Sequence, residues 1–236
     1  MRLYAARPFF WSLLAVLALV AGCAGAPAAT GRSAITLDPV SSPDWAEDMR
    51  RFAAEDAVTA PPARPVVFTG SSSVRLWRTL AEDFPDVPVL NRGFGGSQLR
   101  DVAHYADQVA VRYRPRMILV YGGDNDIDAG RSPQQVLQDF RALIARLRRD
   151  LRDVPIAYLS IKPSPARANQ LAAQQQANAL VKAEAAGMEK VLFIDVSAPM
   201  LDAAGRPRAE LFTDDRLHMN GDGYALWRTI VAPYLE

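Results

Sequence analysis

Five short apolar runs, separated by stretches of helical pattern, constrain what this chain can fold into more than any other feature. They are Val66–Gly70, Pro88–Asn91, Met117–Tyr121, Ile156–Ile161 and Val191–Val196. Most are apolar throughout instead of alternating with polar residues, as expected of parallel strands covered on both faces. Between them lie segments with helix signals. Ser132-Pro133-Gln134-Gln135 is an N-cap, a first-turn proline and a capping-box glutamine, and Val136, Phe140, Leu143, Ile144 and Leu147 then share one face. A second helix is expected from about Ala166 to Ala186, stopping at Gly187. Strands alternating with helices specify an α/β class chain, an open three-layer α/β/α sandwich with right-handed crossovers. In such sheets ligands sit beyond the carboxyl ends of the strands, so chemistry is expected there.

The chain has 236 residues, half of them hydrophobic, which suits one full-sized core. Its N-terminus has a different pattern. Residues 1–22 carry Arg2 and Arg7 without acids, an apolar stretch from Phe9 to Val20, and the small-residue end Val20-Ala21-Gly22 before Cys23. This reads as a secretory signal peptide, too short for a good membrane span. Cys23 is the only cysteine, so it forms no internal disulfide, and its position resembles a bacterial lipobox whose cysteine is lipidated. An ordinary signal peptide cut after Ala24 or Ala28, or an uncleaved anchor helix, are the alternatives. Residues 23–42 have tether composition, and 43–236 form the expected domain. That domain opens with a short amphipathic helix capped by Ser42, with Pro43 in its first turn and Trp45, Met49 and Phe52 on one face. Without the leader the charge is near neutral, with 25 basic and 26 acidic residues, and no basic stripe is interleaved with aromatics. That composition excludes a nucleic-acid partner.

Each strand end carries polar or glycine residues. The first runs Gly70-Ser71-Ser72-Ser73 into a helix, where a serine hydroxyl would be exposed; a plain turn and N-cap is the alternative. The second ends in Asn91-Arg92-Gly93-Phe94-Gly95-Gly96-Ser97, whose glycines let backbone amides approach a ligand; Gln98 excludes the dinucleotide fingerprint. The third ends in Gly122-Gly123-Asp124-Asn125-Asp126-Ile127-Asp128, where Asn125 offers a side-chain amide. A calcium loop fails here, because Ala129 and Gln135 stand where glycine and glutamate are needed. Near the C-terminus, Asp215 precedes His218 by three residues, close enough to orient its ring. His104 is read as structural, and Asp195 as a cap for the loop after the fifth strand. Together these pieces supply a nucleophile, a base with its orienting acid, and oxyanion donors, the parts that acyl transfer requires.

In this order, the segments resemble the four signature blocks of the SGNH/GDSL hydrolases over about residues 64–230. The resemblance implies a flavodoxin-like five-stranded parallel sheet and a carboxylic ester hydrolase. It makes Ser72 the nucleophile, His218 with Asp215 the base and its partner, and Ser72, Gly96 and Asn125 the oxyanion hole. It implies no metal and no cofactor. One departure stands out: the first block usually reads Gly-Asp-Ser, and Ser71 replaces the aspartate, leaving Ser71 and Ser73 as nominal rivals. No G-x-S-x-G elbow is present. The expected substrates are acyl or acetyl esters of carbohydrates or lipids. The alternative is a non-catalytic envelope lipoprotein binding module on the same scaffold. Export, lipidation at Cys23 and attachment to the membrane of the cell envelope complete the expectation.

Overall fold

The computed structural model describes Met1 and residues 38–235; the leader and Cys23 lie outside the described residues. Contacts divide the chain at residues 34 and 35, and the second unit is the one described below. Its elements are α1 (Trp45–Val58), β1 (Val66–Gly70), α2 (Ser72–Arg75), α3 (Leu80–Asp83), β2 (Val89–Gly93), α4 (Leu99–His104), α5 (Ala106–Val109) and β3 (Met117–Tyr121). They continue with α6 (Asp124–Asp128), α7 (Pro133–Asp150), β4 (Ile156–Leu159), α8 (Leu171–Ala185), β5 (Val191–Ile194) and α9 (Gly221–Val231). All strand pairs are parallel, in the order β2-β1-β3-β4-β5. This is the expected flavodoxin-like order, with its switch point between β1 and β3.

The continuously apolar runs have a direct explanation. Successive side chains point into two different cores, not into a core and solvent. Ile118 and Val120 of β3 and Ile156 and Tyr158 of β4 join Leu99, Phe140, Leu143 and Val181 on one face of the sheet. Leu119, Tyr121, Ala157 and Leu159 join Val74, Trp77 and Trp227 on the other. The outer strands are less covered, and Leu192 of β5 is exposed.

Several boundaries differ from the sequence reading for local reasons. Helix α1 starts at Trp45 with Asp44 as N-cap, and Ser42 instead accepts the Asp44 amide at 3.1 Å. Strand β4 ends before Ile161 because the Asn178 side chain takes both the amide and the carbonyl of Ile161. Strand β5 ends before Val196, whose amide donates to the Ser160 hydroxyl. The segment Pro165–Gln170 is a 3-10 turn broken at Arg167, and the regular helix begins only at Leu171. Ser41, within the expected tether, is bound to the domain: its amide and hydroxyl both donate to Asp101, each at 2.6 Å.

Candidate active site

The Ser71-Ser72-Ser73 turn follows from the end of β1. Gly70 sits at φ +121°, and a β-carbon there would fall 1.8 Å from the Tyr121 carbonyl oxygen, so only glycine lets β1 end this close to β3. The Ser71 amide then donates to that carbonyl at 3.1 Å, and α2 begins. Of the three consecutive serines, Ser71 and Ser73 are buried and Ser72 alone is partly exposed. Ser72 is therefore the accessible one of the three. The Tyr224 hydroxyl donates to the Ser73 carbonyl at 3.0 Å and ties this turn to α9, the helix that follows His218.

The Asp215–His218 turn is held mostly by its own atoms. Asp215 Oδ1 accepts the amides of Leu217 and His218, both at 2.9 Å, and the Thr213 hydroxyl at 2.8 Å. That leaves Oδ2 for His218 Nδ1 at 2.5 Å. On the far side of the ring, Nε2 meets Ser72 Oγ at 3.0 Å. With the proton on Nδ1, Nε2 is the acceptor for the serine hydroxyl. Desolvation pushes the Asp215 carboxyl up, but the hydrogen bonds from His218, Leu217 and Thr213 outweigh it and hold it well below the usual carboxylate range. The carboxylate thus stays charged opposite any imidazolium that forms.

The other two loops are tied to the end of β1 and to each other. The Phe94 amide donates to the Gly70 carbonyl at 2.8 Å, and Asn125 Nδ2 donates to the Ser97 carbonyl at 3.1 Å, which ties the β2 and β3 loops together. Gly96 lies at φ +88°, with the Trp45 ring 3.1 Å from where a β-carbon would stand. Neither the Ser72 nor the Gly96 amide has a hydrogen-bond acceptor among the described residues. The arrangement can therefore activate a hydroxyl and offer amide donors to an anion beside it. A groove of about 710 Å³ borders the turn through Arg216, with Pro165, Leu201, Arg206 and Arg208 among its other walls.

The remaining candidates separate cleanly. Asp124 and Asp128 are bridged by Arg167 while Asp126 turns to backbone amides, and among the described residues no His, Cys, Asp and Glu side chains gather in a group able to hold a metal. Asp126 accepts the amides of Leu99 at 3.1 Å and Gly123 at 3.0 Å, bracing both loops. Desolvation, reinforced by the charge of Asp139 and opposed by those amides, raises its carboxyl to about 7. Asp195 accepts from Ser160, Ser197 and Ala198 as a loop cap, and His104 lies exposed against Tyr105. Sequence reading missed Lys162 and Arg167, which flank Asn125 and the His218 turn. For Lys162 a signal existed, a charge at the end of an apolar run in a chain with only three lysines. No helix among the described residues is long and apolar enough to cross a membrane.

Fold and site together define a flavodoxin-like α/β/α sandwich with a Ser-His-Asp constellation at its strand ends. Residues 61–226 match the GDSL-like Lipase/Acylhydrolase family, and the chain belongs to it. No curated protein matches the sequence. Similar solved structures include a GDSL-like lipase from Bacteroides thetaiotaomicron, at 20% identity and TM-score 0.67, covering 79% of this chain and 96% of that one. A carbohydrate esterase family 3 protein from Talaromyces cellulolyticus shares 18% identity at TM-score 0.58, covering 72% and 95%. A lipase/acylhydrolase from Enterococcus faecalis shares 17% identity at TM-score 0.58, covering 73% and 97%. At these identities the likeness concerns the fold.

Proposed function

We propose that the protein is a serine esterase that cleaves carboxylic esters through an acyl-enzyme intermediate. The observation that carries this reading is the continuous chain from Ser72 Oγ through His218 to Asp215, with contacts of 3.0 and 2.5 Å. His218 Nε2 takes the Ser72 proton as the oxygen attacks the ester carbonyl. The amides of Ser72 and Gly96 and the side chain of Asn125 hold the resulting oxyanion. The carbon–oxygen bond to the alcohol then breaks, and the alcohol leaves with the proton from His218. Water, deprotonated by the same nitrogen, releases the acid and restores Ser72. The scheme uses no metal and no organic cofactor.

The substrates that fit best are small acyl groups on a polar alcohol, with acetylated carbohydrates ahead of acyl lipids. The groove that borders the turn at Arg216, lined also by Asp202, Arg206, Arg208 and Glu210, supports a polar leaving group. The test is turnover of a chromogenic acetyl ester by the wild type and by Ser72→Ala. A rate that collapses in the variant supports the esterase, and equal rates would return the chain to the class of binding modules. We further propose that Cys23 carries the lipid that anchors the domain at the cell envelope. Cys23→Ser should move the protein from the detergent phase to the aqueous phase; a variant that stays behind would remove this anchor.

A further inference from the structure

The mechanism above leaves unused a buried group of charges beside it. Lys162 is 1% exposed and Asp124 is 4% exposed. Lys162 Nζ lies 3.4 Å from Asp124 Oδ2 and donates to the carbonyl of Leu217, the residue before His218, at 2.9 Å. Arg167 Nη1 reaches Asp124 Oδ1 at 2.7 Å and also donates to Asn125 Oδ1 at 3.1 Å. Its other nitrogen, Nη2, meets Asp128 at 2.9 Å. Arg167 itself lies outside helical geometry, at φ −117° and ψ 28°, where its turn breaks.

Such a cluster is a poor way to gain stability, because apolar residues of similar size often serve a buried position as well or better. Its geometry does something packing could not. One carboxylate, Asp124, holds two cations, and each cation extends to a different part of the reacting site. Lys162 reaches the loop that carries His218, and Arg167 reaches the oxygen of the Asn125 amide. A side-chain amide can turn over and exchange its oxygen for its nitrogen at little cost when nothing distinguishes the two ends. An Asn125 turned over would present oxygen, not N–H, to the developing anion. Arg167 donates only and the Ser97 carbonyl accepts only, so the two together select one orientation, with Oδ1 toward the guanidinium and Nδ2 toward Ser97.

We propose that Arg167, anchored on Asp124 together with Lys162, is a positioning residue that fixes the Asn125 amide for oxyanion binding and locks that donor in register with the His218 loop. The proposal rests on the esterase reading above. Burial pushes the Asp124 carboxyl up, but Lys162 and Arg167 outweigh it and keep it below its ordinary range, so the anchor is an ionised carboxylate. The guanidinium also polarises the amide it touches, which strengthens the N–H as a donor.

A double-substitution cycle on the full domain tests this. Losing an oxyanion donor costs about 10²–10³ in turnover, and Arg167→Met, which releases the donor without removing it, should cost about ten- to a hundredfold in kcat with KM little changed. In an Asn125→Ala background the same change should cost less than about twofold, because the group it orients is gone. Arg167→Lys keeps the charge against Asp124 and loses the fork. It should fold with an unchanged melting temperature and still lose part of kcat, which covers the case in which Arg167→Met folds poorly. Independent, multiplicative losses in the cycle, or full activity in a folded Arg167→Lys, would overturn the proposal. If Ser72→Ala keeps its activity, the esterase reading falls with it; a dead Ser72→Ala beside a multiplicative cycle rejects the role of Arg167 alone.

Discussion

Two aspartates serve the site by opposite means. Asp215 lies on an exposed turn, and everything that holds it comes from within a few residues: Thr213, Leu217 and His218. Asp124 is buried behind Asn125, and its cations arrive from the segment after β4. The first carboxylate is stabilised by neutral donors with water nearby, the second by full charges in a dry environment. An exposed carboxylate can be neutralised with little cost to the fold, whereas a buried one cannot lose a partner without leaving charge uncompensated. Activity and stability should therefore separate at the turn and move together at the cluster.

The sharpest separation is expected from Asp215→Asn. The ring loses the partner that fixes its tautomer, and kcat should fall on the order of 10⁴, with a denaturant midpoint close to wild type. The carboxyl is held below its unfolded value, so what it adds to stability is complete above about pH 4 and is lost as the pH falls further. The small gap between the melting curves of wild type and variant should accordingly close in acid. A variant that unfolds at neutral pH would erase the contrast between the two aspartates.

Lys162→Met should act differently, destabilising the protein by roughly 3 kcal/mol in a urea titration while lowering kcat much less than Asp215→Asn does. Loss of activity with stability intact would assign Lys162 to the turn, not to the cluster.

The smallest of the three effects is expected at Asp126. Asp126→Asn offers one acceptor where two amides donate, and should cost about 1–3 kcal/mol. With the folded carboxyl raised to about 7, folding takes up a proton between about pH 4 and 7, so wild-type stability declines across that window. The variant should lack that decline. An unchanged slope would mean that Asp126 is already ionised when buried.

The same contrast explains what the sequence made legible. All five strands were readable, because two-sided burial writes an uninterrupted apolar run at Met117–Tyr121 as plainly as at Val66–Gly70. Helix α7 was readable to its cap, since Ser132 and Gln135 bond each other's backbone within one turn. Asp215 beside His218 was visible for the same reason, a partnership three residues long. The partners of Lys162 and Arg167 were not, because they are set by how strands stack and not by spacing along the chain, although Lys162 itself stood out as a charge ending an apolar run. Register among Ser71, Ser72 and Ser73 also needed the fold, since only burial and the contact with His218 distinguish them. The start of α1 slipped by two residues because Ser, Pro and Asp in succession each make a credible first turn.

The most direct test of the account is covalent. A fluorophosphonate phosphonylates an activated serine and releases fluoride, and peptide mass spectrometry then locates the adduct. A single adduct on Ser72, absent from His218→Ala, is the result expected of a hydroxyl activated by the ring 3.0 Å away. An adduct on Ser71 or Ser73, or equal labelling without His218, would contradict it.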